Sequence, residues 1–452
     1  MKTLIKKEFE IIEQGDAEGQ ISNSQFKLLR DFVLKASDDS KKECAPDFFK
    51  LIPKNGKEAI KVQNYVGVVE LPDVFRIEIL PKIDLSDDDK ECDKTRNIFL
   101  KMLQCMDENQ FKVSDFANLN TSKMPLFEIF IQMFLNDVQK LTRMGLKSGY
   151  VHIEENSKTF KGKLLVSQNI RENLVHQERF YVEYDEFQLN RPENRLVKST
   201  LLYLNKKSNS DSNLAEIRRQ LMFFEQVEAS INYEADFSKV VKTRNTTEYE
   251  NLMAWARVFL QNKSFSTFSG KTSVRSILFP MEKVFEAYVA KMLRKAVIKE
   301  TTDDYWSEWS VHSQYGAKYL FEVPSSKFRM RPDIVMKKKD DVNIILDTKW
   351  KRLVNDYSLN YGISQQDMYQ MFAYGHKYDC SNIWLVYPKN KDMNGEKIEE
   401  FKSKCNNLNI SVKIYCLDLD DKGAFSSLLA QLEASTLQHF PMSILTGANP
   451  VD

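Results

Sequence analysis

The chain has 452 residues, 42% hydrophobic and 29% charged, so it is long enough for two or three domains and too apolar for a disordered polymer. Its 65 Lys and Arg against 64 Asp and Glu give a formal charge of +1, which excludes a globally basic nucleic-acid binder and leaves that role to a local patch. The six cysteines are dispersed, the first residues lack the apolar core of a signal peptide, and no run approaches the roughly 18 apolar residues that cross a bilayer; a soluble cytoplasmic protein without disulfides, structural zinc or membrane association is expected.

Along the chain, NYVGVVELPDVFRIEILPKI (Asn64 to Ile83) alternates apolar and polar residues around a Pro-Asp break and predicts two short strands joined by a turn. The acidic run Asp84 to Thr95 reads as a solvated loop, with a partner-docking loop as the alternative. Ile98 to Met106 and Pro125 to Met144 carry apolar residues at helical spacing, and Gly145 is a plausible stop. Between Tyr150 and Phe187, FKGKLLVSQNI and ERFYVEYDEF read as short β pieces, before a helix over Arg191 to Leu204 and a loop at Ser208 to Ser212. After polar Arg244 to Glu248 comes a helix over Tyr249 to Leu260, and the polar stretch Gln261 to Ser276 is the expected domain boundary.

Beyond it the pattern predicts a helix from Met281, then strands near Tyr319 to Val323, Pro332 to Lys337 and Asn343 to Trp350. A helix over Gln365 to Tyr378, strands at Asn382 to Tyr387 and Ile410 to Leu417, and a last helix over Lys422 to Leu437 follow. The expected organisation is a mixed α/β module over 1–125, a largely helical region with a short β hairpin over 126–260, and an α/β/α domain over 261–440.

The densest chemistry lies in RPDIVMKKKDDVNIILDTKWK. A hairpin turning at Lys339, Asp340 and Asp341 brings Asp333 towards Asp347, and Asp347 and Lys349, two apart on a strand, share a face. Two carboxylates and an amine converging on one point call for a hard divalent cation, the requirement of a magnesium-dependent phosphodiesterase. The plain alternative is a hairpin whose acidic residues cap turns or pair with cations. Upstream, MEKVFEAYVAKML sets Met281, Phe285, Tyr288, Val289 and Met292 on one stripe with Glu282 and Glu286 at its flank, and either carboxylate fits a metal site. Downstream, Gln370 and Tyr374 lie four apart on one helical face, suited to a phosphate or the attacking water.

Helix, PD hairpin, DTK and QxxxY in this order resemble the PD-(D/E)xK nuclease fold. The runs YVGVVEL, LPKI, LNRPENRLVKSTLLYL, MEKVFEAYV, RPDIV, LDTKWK and DMYQMFAY resemble the McrC family over about Gln63 to Tyr387. That resemblance implies an N-terminal partner-binding region followed by a restriction-endonuclease-like α/β/α domain. The implied activity is DNA cleavage with Mg²⁺, or Mn²⁺ in its place, within a modification-dependent restriction complex. It further implies an AAA+ GTPase ring of the McrB kind as partner, which binds the GTP, has its hydrolysis stimulated and reads modified cytosine in double-stranded DNA. By the same resemblance Asp333 and Asp347 are metal ligands and Lys349 the catalytic lysine; the family pattern favours Glu286 as third ligand, whereas helical geometry puts Glu282 nearer the apolar stripe. A non-catalytic GTPase activator and a stand-alone repair or anti-phage nuclease are the competing readings.

Other signals carry less. FSGKTS (Phe268 to Ser273) imitates a P-loop end, yet Phe265 stands where that loop needs glycine. The five histidines have no metal-ligand spacing. Lys337, Lys338 and Lys339 read as a solvated turn, with DNA phosphates as the alternative contact.

Overall fold

The computed structural model describes residues 2–17, 19–39, 48–71, 75–83, 91–106, 124–240, 247–261, 275–300, 305–393, 400–405 and 408–439. β1 (Lys2–Lys7), β2 (Ile11–Ile12) and α1 (Asn23–Asp39) precede a hairpin of β3 (Phe49–Lys54) and β4 (Lys57–Val62). Asn55 and Gly56 join these strands at φ of 50° and 74°, the left-handed two-residue turn that Asn-Gly favours. β2, β4 and β3 make one small sheet.

β5 (Tyr65–Leu71) and β6 (Phe75–Leu80) are the antiparallel pair expected from the alternation. Their polar residues do not face water. Val69, Leu71, Ile77 and Ile79 pack towards Phe26, Leu29 and Phe32 of α1, while Val66 and Val68 join a second core with Phe99 and Phe130. On the face of Val66 and Val68, Glu70, Arg76 and Glu78 are buried and paired. Glu78 accepts from Arg96 at 2.8 and 3.0 Å, Arg76 lies 3.7 Å over the Phe127 ring, and Lys207 pairs with Glu70. Burial of these charges is tolerable only because each has such a partner.

This sheet has the order β1-β6-β5-β10, where β10 (Arg275–Pro280) runs antiparallel to β5. Most of the boundary expected over Gln261 to Ser276 lies outside the described residues, and the strand that follows it belongs to the N-terminal sheet. Gly67 faces Leu278 at φ 145°, and a Cβ there would sit 1.9 Å from the Ile277 carbonyl oxygen, so the close approach of β10 requires glycine.

The middle of the chain contains α2 (Glu91–Leu103), α3 (Leu126–Met144), β7 (Gly149–Ser157), β8 (Lys163–Leu164), α4 (Val166–Asn173) and β9 (Phe180–Gln188). α5 (Pro192–Lys207), α6 (Asp211–Phe223), α7 (Tyr233–Lys239) and α8 (Thr247–Gln261) follow. Two expectations change. Glu91 to Thr95, read as loop, open α2, whose Thr95 and Arg96 are buried; residues 84–90 lie outside the described residues. FKGKLLVSQNI forms only two residues of strand before α4, because Leu164 and Val166 bracket a strand-to-helix junction that alternation alone cannot resolve.

The last sheet has the order β11-β14-β15-β16-β18-β17. Its strands are β11 (Trp309–Ser313), β14 (Ile334–Lys338), β15 (Asp341–Thr348), β16 (Asn382–Pro388), β17 (Phe401–Cys405) and β18 (Leu408–Leu417). β14 and β15 form the expected antiparallel hairpin, while β15, β16 and β18 run parallel. α10 (Gln365–Tyr378) covers one face through Met371, Tyr374 and Tyr378. α9 (Met281–Lys299) and α11 (Ala424–His439) cover the other through Phe285, Val289, Leu293, Leu428 and Leu432, completing an α/β/α layering. Among the described residues β12 (Lys318–Phe321) and β13 (Lys327–Met330) pair only with each other, outside this sheet. No helix among the described residues is long and apolar enough to cross a membrane. The FSGKTS segment and the tail from residue 440 lie outside the described residues.

Candidate active site

The β14–β15 register pairs Ile334 with Leu346, so one step further Asp333 stands opposite Asp347. Asp333 Oδ2 accepts from the Thr348 amide at 2.8 Å and from its hydroxyl at 2.7 Å. Asp347 is 1% exposed, and its Oδ2 lies 2.5 Å from Lys349 Nζ. That contact is a close ion pair outside good hydrogen-bond alignment, and the Lys349 ammonium is the one cationic group against this buried oxygen among the described residues. Lys349 Nζ donates instead to Gln370 Oε1 at 3.1 Å and stands 3.8 Å from Asp367 Oδ1. Gln370 Nε2 donates to the Tyr374 hydroxyl at 2.8 Å, which donates to the Arg331 carbonyl at 3.1 Å. Asp333, Asp347, Lys349, Gln370 and Tyr374 thus form one connected cluster.

Burial and the neighbouring Asp333 charge push the Asp347 carboxyl up to about 7, and burial raises Asp333 against the two Thr348 donors. Burial works against the Lys349 ammonium, but the carboxylates of Asp347, Asp333 and Asp367 outweigh it and raise its pKa. The pair of aspartates is therefore short of positive charge while the lysine stays protonated. Oxygen-only ligands and two buried carboxylates whose mutual repulsion one lysine does not offset are the features a hard divalent cation satisfies, so these residues fit Mg²⁺.

The McrBC 5-methylcytosine restriction system component family matches residues 60–388. The chain belongs to that family. Among solved structures it resembles a chain of the refined half-complex from a tetradecameric assembly of Thermococcus gammatolerans McrB AAA+ hexamers with bound McrC. There the TM-score is 0.65 at 18% identity, covering 96% of this chain and 100% of that one. It also resembles a chain of the Thermococcus gammatolerans McrBC complex seen by cryo-EM, with a TM-score of 0.46 at 19% identity over 66% of this chain and 88% of that one. No curated protein sequence matches it. The first likeness extends the mixed α/β fold over nearly the whole chain.

In this McrBC-family chain the two helix glutamates divide. Glu282 is exposed on the first turn of α9, close enough to Asp333 and Glu8 for its charge to raise both carboxyls. Glu286 takes a hydrogen bond from Gln314, whose own amide donates to the Asp333 carbonyl at 2.8 Å. Both flank the aspartates. The three lysines do not: Lys337 and Lys338 lie within β14 rather than in the turn, and only Lys339, at φ 58°, turns the chain. They occupy the far end of β14, about 13–20 Å of strand from Asp333. Lys337 lies 4.5 Å from the Tyr315 ring, Lys338 5.6 Å from Tyr305, and Lys339 pairs with Glu308 at 3.3 Å.

Sequence reading passed over Thr348, Asp367 and Glu8. Thr348 lies inside DTK, where its place beside Asp333 follows from the hairpin register. Asp367 is signalled by Ser364, whose hydroxyl caps its amide at 3.2 Å, and it accepts from Lys351 at 2.8 Å. Glu8 gave no signal: fully buried, it accepts from the Trp350 indole at 3.0 and 3.2 Å and from the Lys82 amide at 3.0 Å, and burial pushes it up to about 7. His152, with Glu154 and Glu183 at 3.8 Å each, shows that a strand pair gathers potential ligands that sequence spacing did not reveal, with His152 and Glu154 exposed and Glu183 half-buried.

Proposed function

We propose that this chain is the McrC-type nuclease subunit of a GTP-dependent, modification-dependent restriction complex, hydrolysing phosphodiester bonds of double-stranded DNA with Mg²⁺. The observation that carries this reading is the buried Asp333–Asp347 pair, two carboxylates side by side with only the Lys349 ammonium against Asp347. Bound there, Mg²⁺ or Mn²⁺ would polarise the scissile phosphate and neutralise charge on the attacking and leaving oxygens. Thr348 fixes the rotamer of Asp333, and the Gln370–Tyr374 relay fixes Lys349. Held protonated by three carboxylates, the Lys349 ammonium stabilises charge gathering on the phosphate oxygens as water attacks phosphorus and the ester P–O bond breaks. This makes the unit after β10 a PD-(D/E)xK nuclease domain, with Glu286 or Glu282 completing the ligand set.

The partner in this reading is a cytoplasmic AAA+ ring of the McrB kind, which binds GTP, reads modified cytosine and has its hydrolysis stimulated by the N-terminal region. Family membership and the assembly reported for the Thermococcus gammatolerans proteins support it. The test is Mg²⁺-dependent cleavage of methylated and unmethylated plasmid by this chain with an McrB-like GTPase and GTP, comparing wild type with Asp347→Ala. Loss of cutting by on the order of a thousandfold with GTPase stimulation kept is expected. Equal stimulation by both proteins without cutting of any modified substrate would make the chain a GTPase activator, and cutting without the partner would make it a stand-alone nuclease.

A further inference from the structure

Residues 314–331 hold Lys318, Lys327, Arg329 and Arg331 against one carboxylate, Glu322, in a chain whose overall charge is +1. Glu322 is itself paired with Lys377 at 3.0 Å. This stretch forms the β12–β13 hairpin, which among the described residues joins no other sheet, and every residue from 320 to 329 is exposed. Its apolar side chains are exposed as well. Phe321 and Phe328 meet edge to face at 6.0 Å yet remain 56% and 70% exposed. Phe328 sits at φ 58°, a left-handed conformation that a bulky side chain rarely adopts. An exposed aromatic pair ringed by cations is a poor solution for folding and a good one for nucleic acid.

The hairpin is rigidly referenced to the candidate active site. β13 runs straight into it, with Arg331 two residues and Arg329 four residues before Asp333. One face of α10 fixes both. Gln370 accepts from Lys349, Tyr374 donates to the Arg331 carbonyl, and one turn further the Tyr378 hydroxyl lies 2.8 Å from the Tyr315 carbonyl and 3.2 Å from that of Met330, the two roots of the hairpin. Arg329 ties the base through the Gly316 carbonyl at 2.6 Å. Residues 327–331 therefore lie within about 7–20 Å of chain from Asp333, the span of a few base-pair rises.

We propose that the β12–β13 hairpin is a DNA-gripping arm: Lys318, Lys327 and Arg331 contact backbone phosphates, and Phe321 and Phe328 enter the minor groove as an apolar wedge. This rests on the nuclease reading and adds to it the surface that holds the duplex. An aromatic wedge flanked by cations widens and bends a minor groove, and the flanking phosphate contacts hold the distorted backbone against the site.

The test is fluorescence anisotropy of a short labelled duplex titrated with the full-length chain in EDTA, over a series of KCl concentrations, so that no cleavage is needed. Lys318→Ala/Lys327→Ala is expected to reduce the slope of log affinity against log salt by about 1.8, two contacts of about 0.9 each. Phe321→Ser/Phe328→Ser is expected to weaken binding roughly tenfold at every salt with the slope unchanged, since the wedge carries no charge. Both variants should keep the wild-type melting temperature. The proposal is overturned if both bind DNA as wild type does, or if Lys337→Ala/Lys338→Ala alone carries the slope. It is equally overturned if the hairpin variants bind DNA normally and lose only assembly with the GTPase ring, which would make the arm a protein-docking surface. A wild-type chain that binds DNA through the hairpin but never cuts would sink the nuclease reading and leave the arm standing.

Discussion

Asp347 is the residue on which most of the chemistry converges, and its environment predicts a pH signature. Its folded pKa, about 7, stands above the unfolded value of about 3.9. Its contribution to stability is therefore complete at acid pH and is lost as pH rises through about 7. Glu8, also pushed up to about 7, titrates in the same direction and window. In EDTA the melting temperature should fall between about pH 4 and 7, the interval between the unfolded and folded values, and level off above it. Asp347→Asn should flatten part of that fall and Glu8→Gln the remainder. Mg²⁺ should restore stability at neutral pH, with calorimetric affinity rising as pH passes through about 7, because binding must displace protons. A pH-independent melting curve in wild type would show that these carboxylates are solvated in the free protein.

At the scale of elements, α10 links Lys349 to the hairpin strands. Tyr374→Phe leaves Gln370 Nε2 and the Arg331 carbonyl without partners, a loss of about 1–3 kcal/mol that urea unfolding would measure. Cleavage should suffer more than stability, because Gln370, which accepts from Lys349, loses the hydroxyl that fixes its side chain. This element was fully legible in the sequence: Ser364 caps it, the expected span Gln365 to Tyr378 is the observed one, and Asp379 ends it in the left-handed conformation. The β14–β15 hairpin was legible for a similar reason, since its alternation and turn are local signals. β10 and β1 were not. RSILFP and KTLIKK are short, and the strands they pair with lie far away in sequence, so no local pattern announces them. The same distinction holds within the site. Asp333, Asp347 and Lys349 sit on adjoining strands and could be placed from spacing, whereas Glu8 reaches Trp350 across 342 positions of sequence.

At the scale of the whole molecule, the N-terminal sheet is unfinished without residues that follow the expected boundary. A fragment ending at residue 261 removes β10, uncovers the whole β5 edge, and strips Leu278 and Phe279 from the two cores. Such an edge is a template for aggregation. Size-exclusion chromatography should find this fragment aggregated and one extended through residue 300 more soluble. A monodisperse, folded shorter fragment would mean that β10 is dispensable to the sheet. Any fragment meant to keep this sheet whole therefore has to run at least through Pro280, past the expected boundary.

The pairing of β10 with β5 also sets a schedule for biosynthesis. β5 ends at Leu71 and β10 begins at Arg275, so on the ribosome the older strand waits for roughly 200 residues, on the order of 10–40 seconds at usual elongation rates. During that interval β1 and β6 can already dock, but the Gly67 side of the sheet stays open to other chains. The yield of folded chain should therefore respond to translation speed and chaperone supply more than that of a fold whose sheets close locally.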